Sequence, residues 1–178
     1  LWRGKVLAVR IARRTLLSIG LTFAAGPIAF VAVNAAETAK SELDFELSDG
    51  SKFVRLSDLP PRPTVVNFWR YDCPPCVREM PLFADLAGAG KVRVVAVALQ
   101  RPSETALRSP TAVVEAIKPP VLLLHGPNDP RGLLARFGNP RGALPHTIVL
   151  DAMRHPCVAR TGEVDAVWLA DAIAHCTP

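Results

Sequence analysis

Two cysteines separated by two prolines, Cys73-Pro74-Pro75-Cys76, are the residues of this sequence best suited to chemistry. A thiol pair at this spacing can hold half of a zinc site, close a structural disulfide, anchor a haem, or cycle between dithiol and disulfide. Haem attachment needs a histidine directly after the second cysteine, where this chain has Val77. Zinc needs two further ligands, for which Cys157, Cys176, His155 and His175 are candidates. The redox reading draws on the surroundings of the pair. Thr64 to Trp69 is a continuous apolar run suited to a buried strand, and residues 76–86 read as a helix. A cysteine at such a junction lies at a helix N-terminus, where unpaired N–H groups and the helix dipole favour a thiolate. The second cysteine, one turn later, can attack a mixed disulfide and release the partner. Pro74 and Pro75 fit the first helical turn, where a missing N–H costs little. A structural disulfide would not call for this setting, so a redox dithiol is the favoured reading.

The elements that must position the pair follow from periodicity. Residues 45–47 and 53–56 alternate around Asp49-Gly50 as a small hairpin, and Pro60, Pro61 and Pro63 stop any helix before the buried strand. Residues 93–99 form a second core strand, 103–118 a helix broken at Pro110, and 121–124 a short strand. A short helix over 130–137 ends at Gly138; strands over 147–150 and 157–160 follow, and an amphipathic helix over 164–174 closes the chain. Strands alternating with helices predict a three-layer α/β domain.

The chain has 178 residues, 49% of them hydrophobic and 21% charged, which excludes a disordered polymer. Its net charge of +5 does not mark a nucleic-acid binder. Arg3, Lys5, Arg10, Arg13 and Arg14 precede the first acid, Glu37, and the remaining 16 basic and 16 acidic residues balance. The five cations are followed by 22 uncharged residues, Thr15 to Ala36, a pattern that predicts an export signal cleaved after Val33-Asn34-Ala35, or an uncleaved membrane anchor. The expected organisation is a signal or anchor over 1–36, a linker over 37–43 and one folded domain over 44–178. The folded domain is then periplasmic or otherwise extracytoplasmic, touching the membrane only through its N-terminal segment.

From Val65 to Pro81 the sequence reads V-V-N-F-W-R-Y-D-C-P-P-C-V-R-E-M-P, and this stretch resembles the exported thioredoxin-like reductases of bacteria, the TlpA/ResA/CcmG type. The resemblance extends over about residues 44–175 and includes the lead-in Leu56-Ser57-Asp58-Leu59. It implies a thioredoxin-like sandwich: a central mixed sheet with an N-terminal hairpin and an inserted strand–helix element between Cys76 and Pro145. It also implies that Cys73 and Cys76 are catalytic and that Pro145 is a cis-proline facing them, leaving the Leu144 backbone to pair with a substrate strand. A proline merely starting a strand is the alternative. Glu79 matches the family's helix glutamate, which either tunes Cys76 or lies on the surface. Trp69 packs beneath the site, and His146 follows Pro145 as an exposed side chain. No cofactor or metal is implied. The implied partners of a monomeric enzyme are oxidised exported clients, such as apocytochrome c or copper-site assembly proteins, and an upstream membrane thiol donor.

Departures from the family pattern carry their own expectations. Asp72 stands where an aromatic residue is usual; its carboxylate either raises the Cys73 pKa by repulsion or is solvated without effect. Tyr71 supplies a ring one place earlier. Asn67 replaces the acid that thioredoxin buries, so a proton relay must use another group. In thioredoxin-like folds the last helix packs back on the sheet, so Cys157 and Cys176 are either bridged or a buried thiol and a free one. A copper chaperone is the alternative function, although it typically wants cysteines one residue further apart and a nearby His. A peroxidase would need Thr three residues before its cysteine, where Arg70 precedes Cys73. With no donor side chain between the cysteines and Asp72 adding repulsion, the dithiol is expected to be a reductant, with a potential below about −200 mV.

Overall fold

The computed structural model describes residues 42–177. The expected signal or anchor over 1–36 and most of the linker lie outside them. Seven strands form one sheet in the order β2-β1-β5-β4-β3-β6-β7. The central strands β3 (Thr64–Trp69), β4 (Arg93–Ala98) and β5 (Leu122–His125) are parallel. The strands β6 (His146–Leu150) and β7 (Pro156–Thr161) add antiparallel beside β3. The hairpin of β1 (Glu46–Ser48) and β2 (Phe53–Arg55) joins the other edge through β5. Its turn is fixed by the Asp49 carboxylate, which accepts from the Ser51 and Lys52 amides, and by Gly50 at φ +97°.

Period-2 alternation divides the core into two clusters. Val65 and Trp69 of β3, with Val94, Ala96 and Ala98 of β4, face one side, where they meet α1 (Pro74–Gly88), α3 (Thr111–Ala116) and α5 (Ala166–Cys176). Val66, Phe68, Val95, Val97 and Leu99 face the other, against the hairpin residues Phe45 and Leu47, a 3-10 turn at Leu56–Asp58, and α4 (Arg131–Arg136). The β3 run lacks alternation in its sequence because both of its faces are covered. The helix broken at Pro110 is α2 (Pro102–Arg108) followed by α3. Helix α1 outruns its expected bounds at both ends, starting at Pro74 and enclosing Pro81. Among the described residues, no helix is long and apolar enough to cross a membrane.

Candidate active site

Cys73 is the N-cap of α1, and the two prolines occupy the first helical positions. They remove two amides from the helix start, so the Cys73 sulfur receives the N–H of Cys76 at 3.4 Å. The two sulfurs are joined as a disulfide, with S–S 2.08 Å. Their environments differ: Cys73 is half-buried, whereas Cys76 is 0% exposed within the α1-side cluster. A partly exposed cysteine at a helix N-terminus is suited to attack, and a buried one a turn later to resolution. Trp69 lies in the same cluster, fully buried, with its indole N–H unpaired. The Leu144–Pro145 peptide is cis; Pro145 is buried, its carbonyl accepts from Gly162 N–H at 2.8 Å, and Leu144 packs against the same cluster as Cys73.

One turn beyond Cys76 on α1, Glu79 is 3% exposed, so it is not a surface carboxylate. It accepts from the Asn67 side-chain amide at 2.8 Å and from the Val164 backbone at 3.1 Å. The second N–H of the Asn67 amide goes to Thr147 Oγ1 at 3.0 Å on the neighbouring strand. Asn67 and Thr147 are register partners, so the sheet brings these side chains together on the α1 face. Burial outweighs both hydrogen bonds and pushes the Glu79 carboxyl up to about 7. The Val164 amide is presented by the loop entering α5, whose Glu163 makes two bonds to the Arg78 guanidinium, at 3.1 and 2.6 Å.

One expectation is corrected, and one residue gains a partner that the sequence does not predict. His146 is not exposed: it is 1% accessible, with Nε2 2.8 Å from the Phe137 carbonyl and Nδ1 2.8 Å from Thr161 Oγ1. A carbonyl only accepts, so Nε2 carries the proton and Nδ1 accepts from the threonine; burial lowers the pKa and keeps the ring neutral. This strand histidine is covered because β6 lies between β3 and β7. Asp72 is exposed, as a loop carboxylate, but it is paired. Arg70 donates to both of its oxygens, at 2.8 and 2.9 Å. Tyr71 is held by Arg108, which donates to its hydroxyl at 2.9 Å and lies over its ring.

Cys157 and Cys176 are joined to each other, tying the start of β7 to the end of α5. Among the described residues, no group of three or more His, Cys, Asp or Glu side chains is arranged to hold a metal. The bridge closes a loop with a sequence separation of 19, and such a constraint on the unfolded chain contributes roughly 3 kcal/mol. Replacing both cysteines with serine is expected to lower stability by about that amount in urea unfolding, while leaving the Cys73–Cys76 equilibrium with glutathione unchanged.

A sheet of this topology, with a CxxC at the start of a helix and a cis-proline beside the next core strand, defines the thioredoxin-like fold. A family model described as AhpC/TSA matches residues 38–155, and the chain belongs to that family; it is an oxidoreductase. No curated protein matches it. Among solved structures it is similar to a putative thiol:disulfide interchange protein DsbE from Chlorobium tepidum (22% identity, TM-score 0.59, covering 75% of this chain and 92% of that one). A putative thioredoxin from Neisseria meningitidis matches at 25% identity and TM-score 0.55, covering 76% and 88% of the two chains. The exposed lipoprotein thioredoxin Etrx1 of Streptococcus pneumoniae matches at 22% and 0.56, covering 74% and 98%.

Proposed function

We propose that the protein reduces disulfides of exported client proteins outside the cytoplasm, clients of the cytochrome c or copper-site assembly type, using Cys73 and Cys76 as its dithiol. The observation that carries this reading is the contrast between a partly exposed Cys73 at the helix N-cap and a fully buried Cys76 one turn later. In the reduced protein the Cys73 thiolate attacks one sulfur of the client disulfide. An S–S bond forms between Cys73 and the client, and the other client sulfur leaves as a thiolate and takes a proton. The Cys76 thiol then loses its proton and attacks Cys73. The Cys73–Cys76 bond forms, the second client thiolate leaves, and two electrons have passed to the client. Glu79, with its pKa near 7 and one turn from Cys76, is the group suited to accept the Cys76 proton. Leu144 and Pro145 form the client-binding edge. A membrane thiol donor restores the dithiol by the reverse exchange.

The Cys73 sulfur has a single amide donor from a helix start that holds two prolines. Weak thiolate stabilisation disfavours the dithiol form and makes the couple reducing. Equilibration with glutathione, followed by fluorescence of the buried Trp69, is expected to give a potential below about −200 mV. A value near −120 mV, that of a dedicated oxidase, together with fast oxidation of reduced client peptides, would overturn the assignment.

A further inference from the structure

We infer that Arg70 is a positioning residue that sets the reactivity of Cys73 by holding the Asp72 carboxylate, so that the negative charge one residue before the attacking cysteine is offset rather than felt. The guanidinium is fixed at three nitrogens. Nε and Nη2 take the two Asp72 oxygens, and Nη1 donates to the Leu99 carbonyl at 3.3 Å, directly after β4. The Leu99 amide donates in turn to the Trp69 carbonyl at 2.9 Å, and the Cys73 amide to the Arg70 carbonyl at 3.4 Å. The four residues leading into the dithiol are therefore closed on themselves and pinned to the sheet.

An exposed ion pair of this kind adds little to stability, typically 0 to about 1 kcal/mol. Its consequence lies in the field at its neighbour. An unpaired carboxylate one residue before a thiol opposes the thiolate; the same carboxylate in a two-pronged grip with a guanidinium does so far less. The Asp72 carboxyl is held below the usual carboxylate range, chiefly by the Arg70 hydrogen bonds. Other ionisable groups on the adjoining elements are Arg78, paired with Glu163; Arg108, on the Tyr71 hydroxyl; Glu79, bonded to Asn67 and Val164; and Glu104 of α2, which accepts from the Arg101 amide and acts on Arg70 through space in the same sense as Asp72. The Arg70–Asp72 pair is the one within the loop that carries Cys73.

This inference rests on Cys73 being the attacking thiolate. It is tested on the reduced protein by the pH dependence of Cys73 alkylation with iodoacetamide and by the equilibrium constant with glutathione, for Arg70→Gln, Asp72→Asn, the double variant and Arg70→Lys. Arg70→Gln should lower the thiolate fraction at neutral pH about threefold and shift the equilibrium toward a stronger reductant by a similar factor. Asp72→Asn should shift both in the opposite direction. The double variant should return to within about twofold of the wild type, and Arg70→Lys should retain most of the wild-type behaviour. Equal values for Arg70→Gln and the double variant would overturn the inference, as would an Asp72→Asn protein indistinguishable from wild type. The Asp72→Asn arm leaves the Arg70 bond to Leu99 in place, so it decides the matter even if Arg70→Gln fails to fold. A wild-type protein that cannot reduce protein disulfides would instead remove the functional reading, and the thiol titration would still report on Arg70.

Discussion

Cys73→Ser is expected to lose disulfide reduction by at least about a thousandfold, whereas Cys76→Ser stops one step later, as a stable adduct between Cys73 and its client. The asymmetry follows from position. Cys73 is half-buried and caps α1, while Cys76 lies wholly inside the cluster and can be reached by Cys73 but not by an incoming protein. Serine at 73 leaves no accessible thiol, because Cys76 is buried and Cys157 and Cys176 are bound to each other. Serine at 76 leaves the first exchange intact and removes the nucleophile of the second, so electrons stay in the mixed disulfide. Non-reducing gels followed by mass spectrometry would identify the trapped partner. An adduct formed through Cys76 in the Cys73→Ser protein would reverse the two roles.

The second large effect concerns pH. Glu79 keeps its proton in the folded protein to about pH 7, whereas in an unfolded chain it ionises near 4.5. Between those values the folded state binds more protons than the unfolded state, so stability falls as pH rises across this window. A displacement of this size corresponds to about 3 kcal/mol, present below pH 4.5 and lost above 7. Buried His146 and His125, whose pKa values are lowered, act with the opposite sign, because an unfolded imidazole binds protons that the folded one refuses. The informative quantity is therefore a difference. Glu79→Gln keeps the size and an acceptor for Val164 but cannot ionise. Relative to wild type, it should gain about 3 kcal/mol of stability between pH 4.5 and 8 in urea unfolding. A constant offset across that range would mean that the carboxyl titrates at its ordinary pKa.

Much of this site can be read in the sequence, because its parts are local. The strand, the two cysteines and the helix are consecutive, and Asn67 to Glu79 spans 13 residues. The burial of Glu79 has a signal as well. Cys76, Met80, Phe83 and Ala87 recur at helical spacing, and Glu79 falls on the same stripe, at a position that faces the core. Other features have none. Val164 and Glu163 reach Glu79 and Arg78 across 85 residues, and only the folded sheet brings the loop before α5 against α1. His146 follows a proline, a context that suggests a loop; what buries it is the third dimension, where Phe137 and Thr161 supply one acceptor and one donor. The Arg70–Asp72 grip shows in sequence only as opposite charges two residues apart in the loop between β3 and α1, where no periodicity says which side chains meet.

The two core clusters divide the molecule chemically. All four sulfurs of the cysteines belong to, or pack on, the cluster shared by α1, α3 and α5, and none lies on the face of Phe45, Phe68 and Phe137. The sheet thus acts as a partition between a redox half and a ballast half. Substitutions in the ballast are expected to move the melting temperature more than the thiol–disulfide equilibrium, and Leu144, which packs on both clusters, is where the two halves meet.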